Sequence, residues 1–260
     1  MTSEIKPQNR GTKQLFQNPI LEKLSRTHIS VPLVIFFLYA AALLYWSVTH
    51  TSLSMSTTVV MFFLGTFFFT WVEYMVHRYV FHMIADTEKK AKAQYTMHGV
   101  HHEFPKDKTR LAMPPLLSIT IATVLLFVFR LILGDLVFSF LPGFLVGYAA
   151  YLSVHYMVHA FQPPRNFFKV LWVNHGVHHY KNGVGVYGVS SPLWDYIYGT
   201  MKWSRIRAGS ARNKKAPTWG DNLIRSYSLN FCLFYGFFLG HLRIGRAGIR
   251  CTGCKYNCCR

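Results

Sequence analysis

Ten of the thirteen histidines fall in four short clusters. The clusters are His77-x-x-x-x-His82, His98-x-x-His101-His102, His155-x-x-x-His159 and His175-x-x-His178-His179. Neutral imidazole is a ligand that suits iron, zinc, copper and nickel. Ten ring nitrogens are too many for one ion, so the pattern predicts two metal ions with about five histidines each and positions left open for oxygen or water. The isolated His28, His50 and His241 are interpreted as surface or interface residues.

The spacing within each cluster predicts how its rings converge. Residues three and four apart lie on one face of a helix, so each H-x-x-H-H run is expected to aim its three histidines at one point. His155 and His159 are one turn apart and share a face. His77 and His82 are five apart, about 140° around an ideal helix. That pair needs a helix end, a bulge or two different metals.

Four apolar blocks are long enough to carry these clusters across a bilayer, whose core of about 30 Å needs roughly 20 helical residues. The blocks are Val31–Val48, Thr58–Val76, Leu116–Leu133 and Leu136–Val154. In lipid the backbone must satisfy its own hydrogen bonds, which predicts that each block is a helix. The predicted fold is therefore an all-α integral membrane protein with four transmembrane helices in two hairpins.

The charges predict which side of the membrane holds the histidines. The chain has 28 Lys and Arg against 10 Asp and Glu, and every basic residue except Arg130 lies in residues 1–30, in residues 77–115 or after His155. By the positive-inside rule, both termini and the 77–115 segment are expected on the cytoplasmic side. The clusters would then form a cytoplasmic cap that holds two metals. A nucleic-acid partner is not expected, because no recognition module surrounds the basic residues.

The sequence predicts three regions along the chain. Residues 1–30 are expected to be a cytoplasmic N-terminal segment, 31–201 the membrane domain, and 202–260 a basic, cysteine-containing tail with little order. All five cysteines lie in that tail, and a zinc site on Cys251, Cys254, Cys258 and Cys259 is the less favoured alternative. Leu229–Gly240 is short for a span and fits an interfacial or re-entrant piece.

The clusters resemble those of the integral-membrane fatty acid hydroxylase and sterol desaturase superfamily over roughly residues 19–201. The segments 98–115 (HGVHHEFPKDKTRLAMPP) and 188–196 (GVSSPLWDY) are similar to the fatty acid 2-hydroxylase branch. The resemblance implies that the ten histidines are catalytic and hold two irons, with zinc possible in a purified protein. It implies a monooxygenase that uses O2 and external electrons to hydroxylate carbon 2 of long-chain fatty acids or sphingolipid acyl chains.

The chain departs from this branch at two places. Members often carry an N-terminal cytochrome b5 domain, which 30 leading residues cannot hold, so a separate cytochrome b5-like or ferredoxin-like donor is expected. Members often have Tyr-Asp before the third histidine pair, where this chain has Tyr151 and Leu152. The role of that Asp is therefore in doubt here. Tyr148, Tyr151 and Tyr156 are candidates for lining the substrate approach, or are ordinary interfacial aromatics.

Three acidic residues lie beside the motifs. Glu73, one turn before His77, is a candidate acceptor that orients its ring, or it marks the water boundary. Asp195, next to Trp194, is a second candidate carboxylate behind the metal ligands. Asp107 is expected to be a helix cap or turn residue.

Other functions stay open at this stage. A sterol methyl oxidase, a sterol desaturase or a carotenoid hydroxylase would carry similar histidine clusters. A metal or proton-coupled transporter would need polar residues through the middle of its spans, which these blocks lack. The expected location is an integral membrane, the endoplasmic reticulum in a eukaryote or the inner membrane in a bacterium.

Overall fold

The computed structural model describes residues 5–181 and 185–201, together with the backbone of two short strands between 242 and 251. The chain divides into two units, residues 1–202 and 203–260. The predicted interfacial stretch Leu229–Gly240 and three of the four proposed zinc-binding cysteines lie outside the described residues.

All regular secondary structure in the described part of the first unit is helical. Its α-helices are α1 (Pro19–Leu24), α2 (Ser30–His50), α3 (Met55–Val76), α4 (Glu88–Gln94), α5 (Val100–Glu103), α6 (Pro115–Leu133), α7 (Val137–Ala160), α8 (Lys169–Tyr180) and α9 (Leu193–Ile197). Two π-helical turns, His77–Phe81 and Tyr95–Gly99, extend α3 and α4. Two 3-10 turns, Lys108–Arg110 and Gly134–Leu136, precede α6 and α7. The predominantly helical prediction is confirmed.

The second unit departs from the all-α prediction. Strands β1 (Leu242–Gly245) and β2 (Gly248–Cys251) form an antiparallel pair in which Leu242 faces Cys251 along the backbone ladder. Apolar residues alternate with arginine in both segments, and such alternation is typical of strands. The basic composition of the tail had favoured little order, whereas this short alternating period indicates strands.

Within the described part of the chain, three stretches are long and apolar enough to cross a membrane: Ser30–His50, Met55–Phe81 and Lys108–Ala160. The third has 53 residues and contains both α6 and α7, which meet at Gly134. Gly134 has a φ of +58°, a backbone conformation that glycine adopts without a Cβ clash. The four apolar blocks predicted from the sequence thus fall in three candidate stretches.

Local sequence signals set several helix starts. The Asn18 side chain accepts hydrogen bonds from the backbone N–H groups of α1, and the Ser54 hydroxyl accepts from Thr57 N–H at the start of α3. Pro115 opens α6, where its missing N–H costs no helical hydrogen bond. Asp107 caps the 3-10 turn before α6 by accepting from Thr109 N–H at 3.0 Å, as its cap assignment predicted.

The central helix α7 packs against α3 at backbone distance. A Cβ on Gly143 would lie 1.8 Å from the Phe62 carbonyl oxygen, and one on Gly65 would lie 2.0 Å from the Phe140 carbonyl oxygen. Small residues let two membrane helices approach this closely, because they place no bulky side chain between the two backbones. Since α3 leads into His77 and α7 carries His155, this crossing fixes the relative position of two histidine pairs.

Candidate metal centre

The structure gathers the ten clustered histidines into two groups. In each group every member offers one ring nitrogen, and these nitrogens all lie within 4.8 Å of one another. Group I consists of His77, His82, His98, His102 and His178, and group II consists of His101, His155, His159, His175 and His179. The division into two sets of five is the one that the histidine count predicts.

The prediction that each H-x-x-H-H run aims at one point is wrong. His98 and His102 belong to group I, whereas His101 belongs to group II. In the second run, His175 and His179 belong to group II, whereas His178 belongs to group I. Adjacent residues point about 100° apart on a helix. The last two histidines of each run therefore diverge toward different groups.

A π-helical turn brings His77 and His82 together. The backbone N–H of His82 donates to the His77 carbonyl at 3.2 Å, an i to i+5 bond that puts both rings in one group. Of the three solutions expected for this spacing, the structure uses the bulge. The His155 and His159 pair needs no such device, because its four-residue spacing fits the regular helix α7.

Ring nitrogens face one another at short range within each group. Nε2 of His98 lies 3.1 Å from Nε2 of His77 and 3.0 Å from Nε2 of His102. In group II, Nε2 of His159 and Nε2 of His175 are 2.7 Å apart. Five imidazole nitrogens converging in this way form a donor set that suits iron, zinc, copper or nickel. The residues thus fit two bound metal ions.

Burial keeps these rings neutral, which is the form that binds metal. Nine of the ten are buried and only His82 is half-buried. Burial lowers the pKa of His82 to about 4 and that of His102 to about 3, in the second case with help from neighbouring histidines. Burial, followed by repulsion from the surrounding rings, lowers the pKa of His101 and His179 well below the usual value.

Two rings of group I are oriented by backbone carbonyls. The Nδ1–H of His77 donates to the Tyr187 carbonyl at 2.5 Å, and the Nδ1–H of His178 donates to the Gly185 carbonyl at 3.1 Å. A ring that donates through Nδ1 leaves Nε2 as the lone-pair nitrogen, so these bonds fix the tautomer that a metal requires. In group II, by contrast, Nδ1 of His101, His175 and His179 has no hydrogen-bond partner among the described residues.

Two buried carboxylates hold the segment that supplies those carbonyls. Asp195 accepts from the backbone N–H groups of Tyr187 and Gly188 at 2.8 and 2.7 Å. Glu73 accepts from the N–H of Val189 at 2.7 Å and from both the N–H and the hydroxyl of Ser190. Glu73 therefore contacts the segment 189–190, and the expected direct role in orienting the His77 ring is taken by the Tyr187 carbonyl.

The three candidate tyrosines occupy different surroundings. Tyr151 stacks on the His155 ring, with centroids 5.5 Å apart, and Tyr148 stacks on Tyr151 at 5.9 Å. Tyr156 lies further along α7 against Phe161. The first two form an aromatic column that leads from the helices to group II. Their role in substrate approach stays a prediction.

Sequence reasoning missed an ion pair that ties the N-terminal segment to the cap. The Arg110 guanidinium lies 2.5 Å from the Glu22 carboxylate and donates to the Ser25 hydroxyl. Its side chain is buried, and it begins the R-L-x-x-P-P motif at residues 110–115, within the segment that resembles the fatty acid 2-hydroxylase branch. The spacing of this motif does not indicate a partner 88 residues away.

Helices of membrane-spanning length that end in two buried histidine groups define the class: a membrane protein with a candidate metal centre. The chain belongs to the fatty acid hydroxylase family, whose model matches residues 62–200. This assignment confirms the family resemblance carried by the histidine runs and the R-L-x-x-P-P motif.

The chain is also similar to individual proteins of this family. The chain is 34% identical over 201 residues to the ceramide very long chain fatty acid hydroxylase scs7 of Schizosaccharomyces pombe, covering 73% of this chain and 55% of that protein. It is 32% identical over 216 residues to human fatty acid 2-hydroxylase, covering 72% and 56%. The chain thus spans about half the length of these curated relatives.

A solved structure shares the fold. The hydroxylase domain of full-length scs7p matches with a TM-score of 0.67 and 29% identity, covering 74% of this chain and 72% of that chain. The helical arrangement that carries the histidines is therefore common to both proteins.

Proposed function

We propose that this chain hydroxylates carbon 2 of long-chain fatty acids or of sphingolipid acyl chains. The observation that carries the proposal is the gathering of ten histidines into two five-nitrogen groups in a chain of the fatty acid hydroxylase family. Relatives named as fatty acid 2-hydroxylase and as dihydroceramide fatty acyl 2-hydroxylase support the position and the substrate class.

The reaction replaces a C–H bond by a C–OH bond. One oxygen atom of O2 enters the product, and the other leaves as water after two electrons and two protons are supplied. An unactivated C–H bond is too inert for acid–base chemistry, so two iron ions held by groups I and II would supply the oxidising chemistry. Each histidine directs one ring nitrogen toward its metal position, and the burial of the rings keeps bulk water away from the reacting carbon.

The membrane arrangement accounts for a reaction near the head group. In the proposed arrangement α2, α3, α6 and α7 are four spans in two hairpins, with both termini and the histidine cap on the cytoplasmic side of the endoplasmic reticulum or inner membrane. The acyl chain lies among the apolar helices while its polar head stays at the interface. The Tyr148 and Tyr151 column would then guide the first carbons of the chain toward group II.

Electrons come from a partner in this proposal. A separate cytochrome b5-like or ferredoxin-like protein is the proposed donor. A basic chain, with 28 Lys and Arg against 10 Asp and Glu, favours an acidic partner.

The decisive experiment measures metal and product together. The protein is purified from membranes, iron and zinc per chain are quantified, and a competent donor is supplied with a saturated long-chain fatty acid or a ceramide. We expect two metal ions per chain and a 2-hydroxy acyl product in mass spectrometry. His101→Ala should abolish the product, whereas the matched control His28→Ala, at an exposed isolated histidine, should retain it. An iron-loaded protein that yields no 2-hydroxy acyl product would refute the proposal.

The alternative functions predict other products. A sterol or carotenoid oxidase would add oxygen to isoprenoids and leave acyl chains unchanged in the same mass spectra, and the relatives do not favour it. A metal or proton-coupled transporter would move ions across vesicles without any O2 uptake.

A further inference from the structure

The segment 185–190 behind group I is held in an unusual backbone conformation. Val186 has a φ of +57°, which places a β-branched side chain in the left-handed region. Such a residue costs on the order of 1–3 kcal/mol and persists only where its surroundings impose it. The conformation therefore needs local anchors. The Val186 N–H donates to the Thr200 carbonyl at 3.2 Å, and Asp195 and Glu73 hold the peptide groups that follow.

Asp195 is connected to the His77 ring through a single peptide group. The Tyr187 carbonyl that accepts from His77 and the Gly188 N–H that donates to Asp195 belong to the same peptide bond. Each hydrogen bond on a peptide polarises the group and strengthens the bond on its other side. The negative charge of Asp195 thus reaches the imidazole across the peptide, as a carboxylate does when it contacts a metal-bound histidine directly.

The close approach of this carboxylate depends on a glycine. A Cβ at Gly188 would lie 2.9 Å from Oδ2 of Asp195 and 2.1 Å from the Ser191 carbonyl oxygen. Glu73, one turn before His77, holds the next two peptide groups of the segment. Both anchors are buried, with Asp195 completely enclosed.

We propose that Asp195 and Glu73 are positioning residues for the metal bound by group I, and that they act on His77 and His178 through the carbonyls of the segment 185–188. This inference rests on the proposed metal centre and is independent of which lipid is hydroxylated. Among the described residues, three rings of group II lack any such anchor. Loss of either carboxylate should therefore weaken one metal site and spare the other.

The test is a chelator competition on the purified full-length protein loaded with Co²⁺, whose visible spectrum reports the coordination of each ion. Asp195→Asn should lower the affinity of one of the two ions by about 10–100-fold, the usual effect of removing a partner behind a metal ligand. The other ion should keep its wild-type affinity and spectrum. Combining Asp195→Asn with His102→Ala, which already disables group I, should add no further loss, whereas combination with His101→Ala should weaken both sites.

Two control variants separate positioning from stability. Thr200→Val removes a hydroxyl that donates to Asp195 at 2.6 Å, yet leaves both peptide donors in place. It should lower thermal stability without a selective loss of metal. Asp135→Asn, at an exposed pair with Arg130, should match the wild type in both measurements.

The outcomes distinguish the inference from the proposed function. A wild-type protein that binds no metal would overturn both. A wild-type protein with two ions, together with Asp195→Asn that retains both affinities, would overturn the positioning role alone, as would an equal loss at both sites. If Asp195→Asn does not accumulate in membranes, Glu73→Gln carries the same test, and unchanged affinities there also overturn the inference.

Discussion

Groups I and II contain the same five-imidazole donor set but are held in different ways. In group I, a π-helical turn closes the first pair and two rings donate to backbone carbonyls. In group II, the first pair follows regular helical spacing and all five rings are buried. Among the described residues, Nδ1 of His101, His175 and His179 has no hydrogen-bond partner. Backbone carbonyls thus orient two rings of group I, whereas two pairs of group II follow the regular i, i+4 spacing of α7 and α8. Two ions in these sites would therefore be chemically unequal.

The two groups are also interlocked. Each group contains one histidine pair from the end of a long helix and one pair from the H-x-x-H-H run that follows that helix. Its fifth histidine comes from the other H-x-x-H-H run. The crossing members are His178 in group I and His101 in group II. Neither half of the chain completes a site alone, so the two metal positions form as a unit when the halves meet.

The largest expected effect comes from two neighbouring residues that serve different groups. His101→Ala removes a ligand from group II and His102→Ala removes one from group I. Each should cost more than about 100-fold in turnover, because even a residue that only orients a metal ligand is worth roughly 10–100-fold. Metal analysis should find a different ion lost in each variant, with distinct Co²⁺ spectra. Identical spectra from the two variants would contradict the division between the groups.

A change at the helix crossing should affect both groups together. Gly143→Ala forces α3 and α7 apart against the Phe62 carbonyl, and overpacking of this kind costs typically 1–3 kcal/mol. Both metal affinities should fall in parallel, along with the thermal unfolding temperature. The matched control is Gly176→Ala, where an added Cβ meets nothing within 4 Å and should be neutral or slightly stabilising. Selective loss of one ion in Gly143→Ala would show that the crossing positions only one group.

Acidification should destabilise the fold and release the bound metal. The unfolded histidine pKa lies near 6.5, while burial holds the folded pKa of His82 at about 4 and those of His101 and His179 well below the usual value. Because the unfolded chain binds more protons, the metal-free fold loses stability as pH falls below about 6.5, by up to roughly 1.4 kcal/mol per unit for each such ring. Metal retained after gel filtration should therefore fall between pH 7 and pH 4. Full retention of both ions at pH 4 would contradict this expectation.

The smallest effect is expected at Asn174. Its amide is fully buried, and no hydrogen-bond partner is present for either amide atom among the described residues. It precedes His175 of group II directly and lies one turn before His178 of group I. An unsatisfied buried polar group costs about 1–3 kcal/mol, so Asn174→Leu should stabilise the metal-free protein in thermal unfolding. A drop in stability would mean that the amide is satisfied by a group that binds there.

Much of the fold was predictable because membrane helices are encoded locally. Helices α2, α3 and α6 contain their predicted apolar blocks, and α7 contains all of its block except Leu136. A lipid-exposed backbone must form internal hydrogen bonds wherever the apolar run is long enough. The strands β1 and β2 were missed because basic composition outweighed a short alternating pattern. The ion pair between Arg110 and Glu22 was missed because a contact across 88 residues leaves no periodic trace.

The candidate site was predictable in its members and not in its partition. Residue type and clustering select the ten histidines and their number suggests two ions, because imidazole chemistry does not depend on the fold. Helical spacing determines the helix face on which a side chain lies. It does not determine which of the two metal positions that face contacts. The packing of α5 beside α8 in the folded protein places His101 in group II and His102 in group I.

The sequence by itself determined the donor chemistry, the apolar helices and the family. The tertiary structure decided that a π-helical turn joins His77 to His82, that each run divides, and that Asp195 hydrogen-bonds the peptide group whose carbonyl accepts from His77. The physical reason is that ligand type and hydropathy are properties of single residues, whereas convergence within a few ångströms is a property of packed helices.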